Sequence, residues 1–212
     1  MNDAFEPVMS ALFAHLGAAA VINFTADATV GGPVLENVSS VSALFAGLPV
    51  FGPGVGKGVL IQSVDTDAGT LTLTGPVTAG GSGAAFATGF LTVGRRLRHW
   101  SQVKTQPALF LRRVGTTDDY DPDGFFSITT LECEAWIYST AGTDPDAVPD
   151  EALSNLDQLV RQSLAPDGDY GDPRFTLGGM VYWCRIQGRS DYSPGDQGDQ
   201  GISRIPIRIT LP

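Results

Sequence analysis

FSITTLECEAWIYST, residues 126–140, reads as a long alternating strand. Leu131, Cys133, Ala135 and Ile137 fall on one face, and Glu132, Glu134 and Trp136 on the other. A period of two over this length is a β-strand with one face toward a core. Three more segments follow the same rule. PALFLRRV (107–114) reads as a strand starting after a proline, and GGMVYWCRIQ (178–187) as another. In GISRIPIRITLP (201–212), Ser203, Ile205, Ile207, Ile209 and Leu211 share a face opposite Arg204, Pro206, Arg208 and Thr210. Pro206 has no N–H to give a ladder, which predicts an edge strand or a bulge there.

Two helices flank these strands. Phe5, Val8, Met9, Leu12, Phe13 and Leu16 form one apolar stripe on a helix of about 13 residues, with Gly17 placed to stop it. Asp144-Pro145 is a helix start, aspartate as cap and proline at the first helical position. Ala152, Leu156, Leu159, Val160 and Leu164 continue as a stripe, and Asp146, Asp150 and Glu151 complement the dipole of the opening turns. This helix is expected to end near Ala165-Pro166. The expected fold class is α+β, a largely antiparallel sheet with two helices on one face.

Residues 24–90 differ in texture. They are rich in Gly, Thr, Val, Ala and Ser and carry almost no charge. VLENVSSV, PVFG, GVLIQSVD, GTLTLTG and AAFATGFLTV read as short strands between turns, with Asp67-Ala68-Gly69 as a hairpin loop. The expected organisation is therefore an α+β domain of residues 1–23 and 91–212, interrupted by a small inserted all-β domain, 24–90.

The net charge of −10 on 212 residues argues against a general nucleic-acid binder and against adhesion to an anionic membrane. No apolar run approaches the roughly 20 residues that span a bilayer, and the acidic start, MNDAFEPVMSALFAHLG, lacks the positive region of a secretory signal. Two cysteines cannot build a disulfide framework, so synthesis in a reducing compartment is expected. Charge is segregated: residues 95–113 hold six basic residues and no acid, and residues 118–172 hold fourteen acids and one arginine. Such blocks suit contacts between subunits, or the solvated faces of one chain.

The chemical motifs fail on inspection. GPGVGKG (52–58) imitates a phosphate-binding loop, G-x-x-x-x-G-K-[ST]. Phe51 stands where its first glycine belongs, Gly58 replaces the hydroxyl residue, and a strand rather than a helix follows. DDYDPDG (118–124) begins like a calcium loop through Asp119, Asp121 and Asp123, but the twelfth position is Thr130, not glutamate. His15 and His99 sit in no triad pattern, and Cys133 and Cys184 lie on apolar strand faces, as inert buried thiols do. No catalytic residue, cofactor site or metal site is assigned. Arg95, Arg96 and Arg98 beside Trp100 could touch nucleic acid or a neighbouring subunit. Candidate subunit-contact residues are Arg95, Arg96, Arg98, Arg112, Arg113, Asp118, Asp119, Asp121 and Asp123.

RRLRHWSQVKTQPALFLRRVG, followed by TTLECEAWIYSTAGTDPDAVPDEALSNLDQLVRQSLAPD and the closing FTLGGMVYWCRIQG and GDQGISRIPIRITLP, resembles the tail terminator, or tail completion, proteins of long-tailed bacteriophages. The likeness covers the first helix and roughly residues 91–212, and rests on the order of the pieces. It implies a non-enzymatic virion protein, made in the host cytoplasm. It implies a homo-hexameric ring at the head-proximal end of the tail tube that ends tube polymerisation. Its partners would be the tail tube protein and the head-side connector, with DNA passing through the lumen without specific binding. In that family the first helix passes almost directly into the strand beginning at Arg95, whereas about 67 residues intervene here. LFAGLPVFGPGVGKGVLIQSVDTDAGTLTLTGPVTA resembles a β module found in phage structural proteins. Two other readings fit the same residues: a different head–tail neck or connector component, and an adhesion or carbohydrate-binding module using Trp100, Trp136 or Trp183.

Overall fold

The computed structural model describes residues 5–42, 44–120, 127–140, 150–166, 174–194 and 200–212. Among them are two helices, α1 (Phe5–Ala20) and α2 (Asp150–Ser163). Strands β1 (Val21–Ala28), β2 (Val34–Glu36), β3 (Val50–Phe51), β4 (Ile61–Asp65), β5 (Thr70–Leu73) and β6 (Ala84–Gly89) make one sheet, in the order β3-β6-β1-β2-β5-β4. A second sheet holds β7 (Thr92–Gly94), β8 (Ala108–Tyr120), β9 (Ser127–Thr140), β10 (Trp183–Ile186), β11 (Asp191–Pro194) and β12 (Gln200–Thr210), in the order β10-β12-β9-β8-β7, with β11 also on β12. Every ladder is antiparallel except β7–β8. The α+β class with largely antiparallel sheets is as the periodicities predict.

The long alternating strands behave as their pattern dictates. Leu131, Cys133, Ala135 and Ile137 of β9, with Ser203, Ile205, Ile207 and Ile209 of β12, are all at most 2% exposed. Their shared face joins one apolar cluster with Val8, Met9, Leu12 and Leu16 of α1 and Leu153, Leu156, Leu159 and Val160 of α2. Both helices thus cover the same face of this sheet. On the other face Glu132, Glu134 and Trp136 stay half-buried.

Several local expectations change. Gly17 does not stop α1: the helix continues to Ala20 and leads straight into β1. Strand β1 therefore runs across the expected boundary between residues 23 and 24. Leu153, rather than Ala152, completes the buried stripe of α2. The expected cap at Asp144-Pro145 lies outside the described residues. AAFATGFLTV is two strands, β6 and β7, in different sheets, with Phe90 buried between them. No strand begins at Arg95; β7 ends at Gly94.

Pro206 sits neither at an edge nor at a bulge. β12 is central, paired with β9 over its whole length. On its other side, pairing with β10 stops at Ile207 and pairing with β11 starts at Arg204. The Gln187 N–H donates to the Pro206 carbonyl on this side, so the proline nitrogen faces the gap between two short strands. A proline is tolerated inside a sheet where the neighbouring strand breaks.

Strands β1–β6 pair only with one another, yet their buried residues, Phe24, Leu35, Leu48, Ile61, Leu71, Leu73 and Phe86 among them, belong to the same apolar cluster as the helices. An added Cβ at Gly47 would lie 2.0 Å from the Asn155 amide of α2, so the connection from β2 to β3 passes directly against that helix. GPGVGKG joins β3 to β4. Gly54 has φ +69°, and a Cβ there would lie 1.9 Å from the Ala79 backbone nitrogen; Gly58, at φ +80°, faces open space. The lysine between them, Lys57, is exposed. A strand follows, with no helix N-terminus to receive a phosphate.

Two outcomes test this packing. Leu131→Ala, at a fully buried site, is expected to cost about 2–5 kcal/mol in urea unfolding. Gly58→Ala should cost only the left-handed strain, about 1–2 kcal/mol, and Gly54→Ala clearly more, because its methyl meets backbone that cannot move aside.

Candidate functional site

The chain from β7 to β8 carries the basic block. Residues 95–99 run irregularly, a single 3-10 turn covers Trp100–Gln102, and β8 starts after Pro107. A small second apolar cluster pins this segment to the outer face of the sheet: Val103, Ala108, Phe110 and Tyr138, with Leu97, Trp100, Trp136 and Ile202 packed against it. The Tyr138 hydroxyl donates to the Arg98 carbonyl at 2.9 Å, and burial holds that phenol above its ordinary pKa. Gln106 Nε2 donates to the Val103 carbonyl and to Gln200 Oε1. The segment is therefore fixed by both packing and hydrogen bonds.

A solvent-open cleft of about 480 Å³ lies along it, its basic lining made of Arg95, Arg96, Arg98 and Lys104. The four are not equivalent. Arg95 is clamped to α1, donating to both carboxylate oxygens of Glu6 at 2.6 and 3.0 Å and to Ser10 Oγ at 3.2 Å. The Arg95 hydrogen bond is the main reason the Glu6 carboxyl titrates below its usual range. Arg96, Arg98 and Lys104 are exposed and form no ion pair with any described residue. Arg112, exposed on β8, has no such pair either, and the Arg113 guanidinium lies 4.5 Å from the centre of the Phe5 ring.

The acidic block divides in the same way. Glu132 and Glu134 are paired within the sheet, to Arg208 at 3.0 Å and Arg204 at 3.3 Å; Arg204 also binds Asp191. Asp157 is buried in α2 and accepts from Arg161 Nε at 2.5 Å, one turn on, while Arg161 Nη2 donates to Ser190 at 2.6 Å. Nearby Tyr192 is raised in pKa, first by burial and then by Asp157. Asp118 accepts from Thr129 Oγ1 at 2.7 Å, and Asp119 is exposed on the same strand. Asp121 and Asp123 lie outside the described residues. Asp119 and Thr130 occupy facing strands of one hairpin, β8 and β9, in place of the helix-flanked loop a calcium site of that type needs. Among the described residues no three His, Cys, Asp or Glu side chains gather as metal ligands.

The remaining candidates have structural surroundings. His15 Nε2 donates to the Ser163 carbonyl at 2.5 Å and its ring packs 4.6 Å from Phe175, joining α1 to the end of α2. His99 Nδ1 lies 2.8 Å from Ser101 Oγ. Cys133 and Cys184 are buried and not disulfide-bonded; burial pushes the Cys133 thiol up to about 12, and it donates to Met9 Sδ at 3.3 Å. Trp100 and Trp136 are partly buried around the outer cluster, and Trp183 lies under the Arg185 guanidinium at 3.8 Å. Among the described residues no helix is long and apolar enough to cross a membrane.

Two polar centres were not apparent from sequence reasoning. Asp27 accepts from Asn37 Nδ2, Ser82 Oγ and the Gly83 N–H at 2.6–2.8 Å, tying β1 to two loops. The Asn37 bond leads the causes that hold its carboxyl below its ordinary pKa. The Glu6–Arg95 clamp links residues 89 positions apart, and no local pattern announces it. Asp157 and Arg161 had a signal, their i, i+4 spacing.

Glu6→Gln should lower thermal stability above pH 4.5, where the unfolded carboxylate is charged. Because the folded pKa is depressed, the difference from wild type should shrink as pH falls through the folded value, and also in high salt. Thermal melts from pH 3 to 7 measure it. Cys133 should resist thiol reagents in the folded protein at pH 8 and react on addition of denaturant.

No protein-family model matches the chain, and a search of curated proteins returns no significant match.

Proposed function

We propose that this chain is a virion structural subunit that assembles into a hexameric ring at the head-proximal end of a phage tail tube. There it ends tube polymerisation and joins the tail to the head-side connector, without enzymatic activity. The observation that carries the self-assembly is that exposed Arg96, Arg98, Lys104 and Arg112 form no ion pair with any described residue, on a chain of net charge −10. Opposite charges held on separate surfaces favour head-to-tail contacts, which close into rings when the rotation permits. The order of helix, strand, hairpin, helix and closing strands supports the tail-terminator reading through the resemblance described above. A net negative ring lets DNA pass without gripping its phosphates. In this reading residues 24–90 are an inserted module on the outside of the ring, where extra mass obstructs neither tube nor lumen.

Purified protein imaged by negative-stain electron microscopy is expected to show six-fold rings. Their mass by light scattering should fall as salt rises, because exposed charges more than a Debye length apart, about 8–10 Å near physiological ionic strength, are screened. The protein should also halt tail-tube growth in vitro. A chain that stays monomeric at high concentration and in assembled particles overturns the reading. Binding only to portal-side proteins would assign it to the neck instead.

A further inference from the structure

Among the described residues the outer edge of β8 is covered by β7 only at Ala108, Leu109 and Phe110, and none of them makes another backbone–backbone hydrogen bond to that edge along 111–120. On the far side of the hairpin, β9 is covered by β12 as far as Thr130. Residues 112–120 are exposed or, at Gly115, half-buried, and Tyr120 is 71% exposed. A long uncovered edge is a template for another strand.

The sequence of this edge is RRVGTTDD, residues 112–119. Two cations, four uncharged residues and two anions read as complementary to themselves when the strand is turned end over end. The register shift between Arg113 and Gly115 decides whether the faces match. Arg113 is paired with Cys133 on the helix-covered face, and Arg112 with Glu134 on the outer face. Had the strand alternated regularly through Val114, without the bulge, Asp118 would fall on the outer face. With it, Thr116, Asp118 and Tyr120 pair with Leu131, Thr129 and Ser127, on the helix-covered side, and Asp119 pairs with Ile128 on the outer side. Arg113 and Asp118 thus share one face, and Arg112 and Asp119 the other.

We infer that two copies of this chain join by antiparallel addition of β8 to β8 about a two-fold axis at Thr116. In this register Arg113 lies opposite Asp118 of the second copy and Arg112 opposite its Asp119, each on a common face. The Val114-Gly115 pair lies opposite Thr117, and the exposed Tyr120 comes beside Leu111. A symmetric antiparallel pair requires a residue to face its own copy at the axis. The bulge supplies that by counting 114 and 115 as one step, which puts Thr116 midway between Arg113 and Asp118. Shifting by one residue loses both the charge pairs and the matching of faces. The charges also guard the edge against unrelated strands, since like charges placed opposite each other repel. The contact is isologous and closes at two copies, so it differs from the head-to-tail contact of the ring and stands independently of that reading.

The test is Thr116→Cys on the full chain, whose native thiols are buried. Mild oxidation is expected to give a disulfide-linked dimer on a non-reducing gel, because directly paired residues bring their Cβ atoms to about 4.5–5.5 Å. In that background R112D/R113D and D118R/D119R should each reduce the cross-link yield by ~10-fold or more. Mixing the two variants should restore it as a heterodimer, which also shows that both are folded. No cross-link in Thr116→Cys, equal yield in the charge-reversed variants, or no rescue on mixing each overturns the inference. Rings that form normally without the cross-link overturn this contact alone; a cross-linked dimer from a chain that never forms rings overturns the ring reading alone.

Discussion

The pairing of β12 with β9 is the interaction on which the rest depends. Eleven residue pairs, from Gln200↔Thr140 to Thr210↔Thr130, run without a slip. Because side chains alternate, one register sets two surfaces at once. Ile205, Ile207 and Ile209 meet the helices with Leu131, Cys133 and Ala135, while Arg204 and Arg208 reach Glu134 and Glu132 on the reverse. A slip by one residue would turn isoleucines to solvent and bury arginines without partners, so competing registers are strongly disfavoured.

That double-sided seam explains how charge is distributed. Among the described residues several acids are internal ties: Glu132 and Glu134 across the sheet, Asp157 within α2, and Glu6 between α1 and the segment after β7. Other charges stay exposed: Arg96, Arg98 and Lys104 on the connection from β7 to β8, and Arg112, Asp118 and Asp119 along β8 itself. Partly exposed ion pairs of this kind add little stability each. Their effect here is to remove some charges from the surface and leave others available.

The first sheet shows how a segment with almost no charge is held in place. Its strands are two to eight residues long, and short strands alone rarely make a stable unit in water. It is secured by sharing the apolar cluster of the helices and by Asp27, whose three hydrogen bonds tie β1 to the turns beside it. The glycines of 52–58 serve this compactness. Gly52 and Gly54 leave room where the Phe86 ring and the Ala79 backbone come close.

The alternation in 126–140 and 201–212, and the stripes of α1 and α2, determined by themselves the strands, the helices and the buried faces, because periods of 2 and 3.6 are local consequences of backbone geometry. That a strand rather than a helix follows GPGVGKG was equally legible, since the alternation after it is local. Boundaries were not: Gly17 stays helical, and β6 and β7 enter different sheets. A glycine can be accommodated within a helix, and tertiary pairing decides where a strand ends. Only the tertiary structure decided which charges face each other, that Arg95 belongs to Glu6, that Pro206 fits a break between two neighbouring strands, and that the bulge at Val114 puts Arg113 and Asp118 on one face. Each of these depends on residues far apart in the chain, or on a register that no local pattern sets.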